Sequence, residues 1–314
     1  MRPLSERYID TQIFAPVARD LPCHMGMIAL YSSAVRWLAL PIALLAAACG
    51  NSTQTITAPS QAQASAPITI TATIANTVTG ATIGQHVQTV PSFPAQLTIV
   101  QAGYVTRQTW VSSAEPRIDL FPEAGFDLAF YRQFLRNGLD GTIQPLRRLT
   151  QSPAIYLQRN GLSEAVVAAV HQTALAVIPA FSGGRLQLAG FEHGMESRAA
   201  RAGWITVELV SEPEGPCGTS LVGASTGRIT MNTGRPACDP RPFHQTFAHE
   251  LGHALGFYHV PNGLMQNPSM IGVSLPSPLE RHHAALAYTR LPGNADVDSD
   301  SRTGSTFQTM VVVD

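Results

Sequence analysis

His249, Glu250, His253 and His259 are the residues of this chain whose types and spacing can do chemistry. They stand in the stretch His249-Glu250-Leu251-Gly252-His253-Ala254-Leu255-Gly256-Phe257-Tyr258-His259. As a helix, this stretch puts His249 and His253 one turn apart on the same face. Two neutral imidazoles on a rigid backbone can grip one zinc ion. Glu250 is offset around the helix from both, near the metal but poorly placed as a ligand, which is where a general base for water belongs. Gly256 lets the chain leave the helix through a left-handed turn, so that His259 can swing back as third ligand. A bare H-E-x-x-H also arises by accident on soluble helices. The added Gly and third His, at the spacing a turn-back ligand needs, favour the metal site.

The elements around this stretch must hold it in place. Phe247, Leu251, Ala254 and Leu255 form a stripe opposite the imidazoles, so a helix starting at about Pro242 can bury one side. Upstream, Phe126–Asn137 reads as an amphipathic helix ending at Gly138, and Ala154–Gln158 as a strand. Ser163, with Glu164, caps a helix running to about Pro179, in which Val166, Val167, Val170, Ala174 and Val177 are the apolar stripe. Strands follow at Leu186–Phe191 and Trp204–Val210, with shorter ones at Thr219–Val222 and Arg228–Asn232. Downstream, Pro278–Arg290 reads as a helix; His282 and His283 on it point about 100° apart and are taken as ordinary helix residues, not a second metal site. His171 is a surface or satisfied histidine. Asp296, Asp298 and Asp300 alternate and could meet calcium, but the Gly and terminal Glu of an EF-hand loop are missing, so a solvated tail is the preferred reading.

At every fixed position the segment His249–His259 resembles the zinc signature of the metzincin metallopeptidases, H-E-x-x-H-x-x-G-x-x-H. That resemblance implies a methionine turn beneath the metal, with Met265 in Gly263-Leu264-Met265-Gln266-Asn267-Pro268 similar to the matrixin form, and Met270 as the alternative. Asn267 stands where some members have a tyrosine at the metal, so no tyrosine role carries over. The strand–helix–strand–strand run before the zinc helix is similar to the N-terminal half of a metzincin domain. The fold expected is therefore α/β (α+β) and zincin-like, with a twisted mixed sheet and an active-site helix.

Residues 67–122 have a different texture. Ile68-Thr69-Ile70-Thr71-Ala72-Thr73-Ile74 alternates as a half-buried strand does; Pro94–Val100 and Arg117–Pro122 are further strand-like segments, with turns at Thr79-Gly80 and Ala102-Gly103. Short strands at this spacing suggest a small all-β sandwich. Their order resembles carboxypeptidase-regulatory-like modules. His86 is isolated and belongs to a loop or the surface.

The 314 residues allow two modest domains. All 20 basic residues are Arg, the net charge is −1 and no Arg-rich block occurs, which argues against nucleic acid or an anionic membrane surface as partner. Residues 1–24 are mixed and polar. Trp37–Ala48, after Arg36, is an apolar run of signal-peptide length, too short to span a bilayer. Ala46-Ala47-Ala48-Cys49 resembles a bacterial lipobox, which implies lipidation of Cys49 as the mature N-terminus; an ordinary cleavage site or an uncleaved anchor are the alternatives. Residues 49–66, rich in Ser, Thr, Gln, Ala and Pro, read as a flexible tether. Cys217 and Cys238 flank an apparent hairpin, and in an exported protein their pairing as a disulfide is the first expectation, two buried thiols the second.

The organisation expected is signal segment 1–48, tether 49–66, β-sandwich 67–122, metzincin-like domain 123–290 and C-terminal tail 291–314. The function expected is an exported zinc endopeptidase: His249, His253 and His259 hold Zn2+, and Glu250 serves as general base. The partner would be an extended peptide lying along Thr219–Val222; oligomeric state is left open. A structural zinc module used for surface binding is the rival from another class, and would need a fourth protein ligand, for which His244 is the residue to check. A zinc amidase acting on cell-wall peptides would share the chemistry.

Overall fold

The computed structural model describes residues 66–138, 143–238, 242–267 and 272–303, together with the backbone of 312–313. Cys49, the apolar run before it, the tether and Met270 lie outside the described residues.

The first layer is a small β-module. β1 (Ile68–Asn76) pairs antiparallel with β2 (Thr82–Val90) and parallel with β5 (Arg117–Leu120), while β3 (Ala95–Ile99) and β4 (Arg107–Val111) form a second, antiparallel pair. The Ile-Thr alternation of β1 sends Ile70, Ala72 and Ile74 into a core shared with Leu97, Ile99, Ile118 and Leu120. β2 was not singled out by the pattern. Its residues are half-buried or exposed up to the buried Val90, as befits an outer strand with weak hydrophobic alternation.

The second part is mixed α/β. Its six-stranded sheet has the order β11-β9-β10-β8-β6-β7, built from β6 (Ala154–Gln158), β7 (Gly190–Gly194), β8 (Trp204–Val210), β9 (Gly218–Leu221), β10 (Gly227–Asn232) and β11 (Val312–Val313). β7, β6, β8 and β10 are parallel, and β9 runs antiparallel to β10. Parallel neighbours need crossovers, and α2 (Glu164–Ser182) supplies the one from β6 to β7. Ser163 caps α2 through Val166 N–H, as its sequence suggests. α2 is long and apolar enough to cross a membrane by length and composition only, and Val167, Val170, Ala174, Val177, Ile178 and Phe181 are buried in the core.

The strand expected at Leu186–Phe191 starts later, at Gly190. Leu186 instead closes the end of α2, where Ser182 Oγ bonds both its N–H and its carbonyl, so those backbone groups are not free for a ladder.

α1 (Leu128–Arg136) is capped by Asp127, and α4 (Pro278–Ala287) by a Ser277–Glu280 capping box. His283 is fully buried: it accepts from Asp127 N–H through Nε2 and donates from Nδ1 to Leu279 O, which ties α4 to the cap of α1. It is a structural anchor, more specific than an ordinary helix residue.

The aspartates after α4 are a correction to the solvated-tail reading. Asp298 forms a two-bond pair with Arg290 at 2.6 and 2.8 Å, both side chains fully buried. Asp300 accepts from Arg107 and Thr109 of β4, and Asp296 pairs with Arg132 of α1. Asn294 is buried beside Arg136, and Asp300 N–H and Gln108 O join the backbone to β4. Residues 294–300 therefore stitch the β-module to the helices. Their carboxylates are taken by arginines, and among the described residues none of them belongs to a group of three able to share an ion.

Candidate metal centre

α3 (Phe243–Leu255) is the helix expected from about Pro242. It buries Phe247, Ala248, Leu251, Ala254 and Leu255 in the main core and packs against α2, β9 and β10. Each such large side chain contributes about 1.5–3 kcal/mol when fully buried, so the helix is fixed by its apolar side and the polar side is free to carry chemistry.

Gly256 ends the helix with φ 116°, and a β-carbon there would run into the Arg147 carbonyl oxygen. The turn it permits has two effects. It brings Phe257 O under His253, whose Nδ1 lies 2.6 Å away, and it returns His259 to the face that His249 and His253 present. His249 Nδ1 lies 2.7 Å from Leu264 O in the same manner. Carbonyl oxygens only accept, so both Nδ1 atoms carry a proton, and in the neutral ring the lone pair is then on Nε2.

The three Nε2 atoms form a near-equilateral triangle: 3.1 Å from His253 to His249 and to His259, and 3.2 Å from His249 to His259. Nitrogens so spaced can all lie about 2.0–2.1 Å from one point, the distance imidazole keeps from zinc. Burial, then the neighbouring His249 and His259, hold the His253 pKa well below its ordinary value, so it stays neutral. Converging lone pairs on neutral rings repel unless a cation lies between them. The donor set fits a metal ion on that chemistry. Among the described residues these three are the one cluster of at least three His, Cys, Asp or Glu close enough to share an ion; His244 is not part of it.

Met265 is fully buried under the helix. A β-carbon on Gly252, between the two helical histidines, would strike its Sδ. The Gly263–Met265 turn is held by a residue that sequence reading passed over, Glu280. Its buried carboxylate accepts from Leu264 N–H at 3.1 Å, Met265 N–H at 2.8 Å and Ser277 N–H at 2.6 Å. Since Leu264 O holds His249, Glu280 supports a candidate ligand through one peptide unit, the kind of outer partner that orients metal-binding imidazoles. The Ser277-Pro278-Leu279-Glu280 capping signature was the available signal, but it shows only the helix start, not the turn.

Glu250 is buried beside the histidines, and Gly218 of β9 backs onto its carboxylate. Gly223, just past β9, donates its N–H to His253 O at 3.3 Å, so β9 follows the polar side of α3. Cys217 and Cys238 are joined as a disulfide. Together with Met231, Asn232, Thr233, Phe243 and Thr246 they line a recess of about 170 Å³, one helical turn from Glu250. Another recess, lined by residues including Arg148, Trp204 and Pro292, contains none of the candidate site residues.

No protein-family model matches this chain, and no curated protein matches it in sequence.

Proposed function

We propose that this chain is an exported zinc endopeptidase of the metzincin kind, cutting peptide bonds with His249, His253 and His259 as zinc ligands and Glu250 as general base. The observation that carries the reading is the triangle of three Nε2 atoms with a buried glutamate beside it and, among the described residues, no fourth His, Cys, Asp or Glu in the cluster. A structural zinc site closes with a fourth protein ligand, whereas a catalytic one keeps a position for water or substrate. The mixed sheet with one antiparallel strand along the helix, and Met265 packed beneath Gly252, support the family resemblance.

When bound, zinc supplies Lewis acidity, which acidifies water and polarises a carbonyl. The chain's own residues do the rest. Leu264 O and Phe257 O hold His249 and His253 by their Nδ1 atoms, which turns their Nε2 atoms toward the shared point. Glu250 takes the proton of the attacking water on a carboxylate oxygen and then passes it to the leaving amine nitrogen. β9 aligns an extended peptide by main-chain hydrogen bonds, and the recess at Thr246 gives room for a side chain. The Cys217–Cys238 disulfide supports export to an oxidising compartment, with Cys49 as the lipid anchor.

The test is zinc analysis of the purified protein with digestion of a diverse peptide library, for wild type and Glu250→Gln. The Gln variant should keep one zinc and its melting temperature while cleavage falls by about 10²–10⁴-fold or more. Wild-type protein that holds one zinc yet cuts no peptide, even after removal of residues preceding Ala62, would overturn the reading.

A further inference from the structure

β9 has two edges. One pairs with β10 through Ile229↔Ser220, Thr230↔Thr219 and Met231↔Gly218. The other is the edge an extended substrate would need, and β11 lies along it, antiparallel, with Val312↔Leu221 and Val313↔Ser220. β11 is reached only after the whole helical region and the aspartate-rich stitch have been laid down, so it is a late segment of the chain folded back onto the strand beside Glu250.

We propose that β11 is an internal occupant of the substrate edge: the chain's own Val312–Val313 backbone takes the hydrogen-bonding groups of β9 that a peptide would use, so cleavage competes with displacement of this strand. The proposal rests on the peptidase reading for its consequence, though not for the pairing. Two observations carry it. The pairing is antiparallel, the sense in which β9 also pairs with β10, so the occupant completes a ladder as a bound peptide would. And both occupying residues, Val312 and Val313, are β-branched, a type that favours extended backbone. The same chemistry describes the peptide class that would replace it: extended, aliphatic and β-branched segments on the strand opposite Ser220 and Leu221.

A tethered occupant competes intramolecularly, but two paired residues make a weak strand. The expected effect is therefore moderate, a raised KM without a change in kcat.

The experiment compares the full chain, a chain ending at Thr303, and the full chain carrying Val312→Pro with Val313→Pro, which removes whichever of the two backbone donors faces β9 without shortening anything. KM for a short extended peptide should fall about 3- to 30-fold in both altered forms, with kcat unchanged. A fluorescent peptide of the sequence Thr309–Asp314 should bind the chain ending at Thr303, in a Glu250→Gln background that prevents its cleavage, and bind the full chain more weakly by a similar factor. Unchanged KM in both altered forms, with no difference in peptide binding, would overturn the proposal while leaving the peptidase reading intact. So would unchanged KM accompanied by self-association, since β11 would then be only a cover that keeps a sheet edge from aggregating. If no form cleaves anything, the peptidase reading fails; binding of the fluorescent peptide to the shortened form alone would still support the occupancy.

Discussion

Gly218, the first residue of β9, lies so close to Glu250 that a β-carbon there would come 2.5 Å from its Oε1 and 2.6 Å from its Cγ. Two segments far apart in sequence thus share one requirement: the strand must have no side chain where the proposed base stands. Gly218 is not among the positive-φ glycines, so an alanine there meets no conformational strain and acts first through this contact.

Gly218→Ala should therefore displace the Glu250 carboxylate without disturbing the fold. Peptide cleavage is expected to fall about 10- to 100-fold, since an error near 1 Å in a catalytic group has that order of cost. Zinc content and melting temperature should stay near wild type. Steady-state kinetics beside metal analysis decides it, and unaltered kcat/KM would mean that the carboxylate at its present position is not needed.

Glu280 makes a different prediction, because it supports the site through the Leu264 peptide. Glu280→Gln keeps the shape of the side chain but turns an amide NH2 toward backbone donors. Hydrogen bonds to a charged group contribute about 1.5–3 kcal/mol, and a loss of that order is expected in denaturant unfolding. Zinc affinity should fall about 10- to 100-fold, as for other outer partners of ligating histidines. A competition titration with a chelator checks it; loss of stability with unchanged zinc affinity would break the proposed link from Glu280 to His249.

Replacing Cys217 and Cys238 together by Ser should cost about 3 kcal/mol, the chain-entropy value for a closed loop of the observed separation of 21 residues. Because both cysteines line the recess one helical turn from Glu250, the double variant should also change which side chains are preferred in a peptide library, measured below its melting temperature.

What could be read from the sequence, and what could not, divides by the distance over which each signal acts. The start of α3 at Phe243, the span of β8 at Trp204–Val210 and the Ser163 cap of α2 follow from local period and capping. The spacing of His249, His253 and His259 was legible for the same reason, since one helix and one glycine turn bring the three together. Gly218, Glu280 and β11 were not legible as parts of the site. Each acts on a partner in another element, and a glycine or a capping glutamate looks the same whether or not something lies against it. The solvated-tail reading of the aspartates of 296–300 fails for that reason also: alternation of charge describes such a tail well until arginines from β4, α1 and the segment just after α4 are brought against it.

Asp300 carries the last prediction. Its carboxylate accepts from Arg107 Nη2 and Thr109 Oγ1 at 2.7 Å each and from Asn294 Nδ2 at 2.8 Å. Burial alone would raise its pKa, but the Arg107 charge and these three bonds outweigh burial and hold it below the ordinary 3.8. A carboxylate depressed on folding contributes stability above its unfolded pKa and loses that contribution as pH falls through the folded value. The stitch between β4 and the segment after α4 should therefore be intact at neutral pH and weaken below about pH 4. Asp300→Asn keeps the size of the side chain but leaves Arg107 buried without its counter-charge, which costs on the order of 3 kcal/mol. Measured by melting temperature, the wild type should exceed the Asn variant clearly at pH 7, and the gap should narrow progressively from about pH 4 downward as the wild-type carboxyl is protonated. A gap that stays constant from pH 7 to pH 3 would show that the charge of Asp300 does not hold the two parts together.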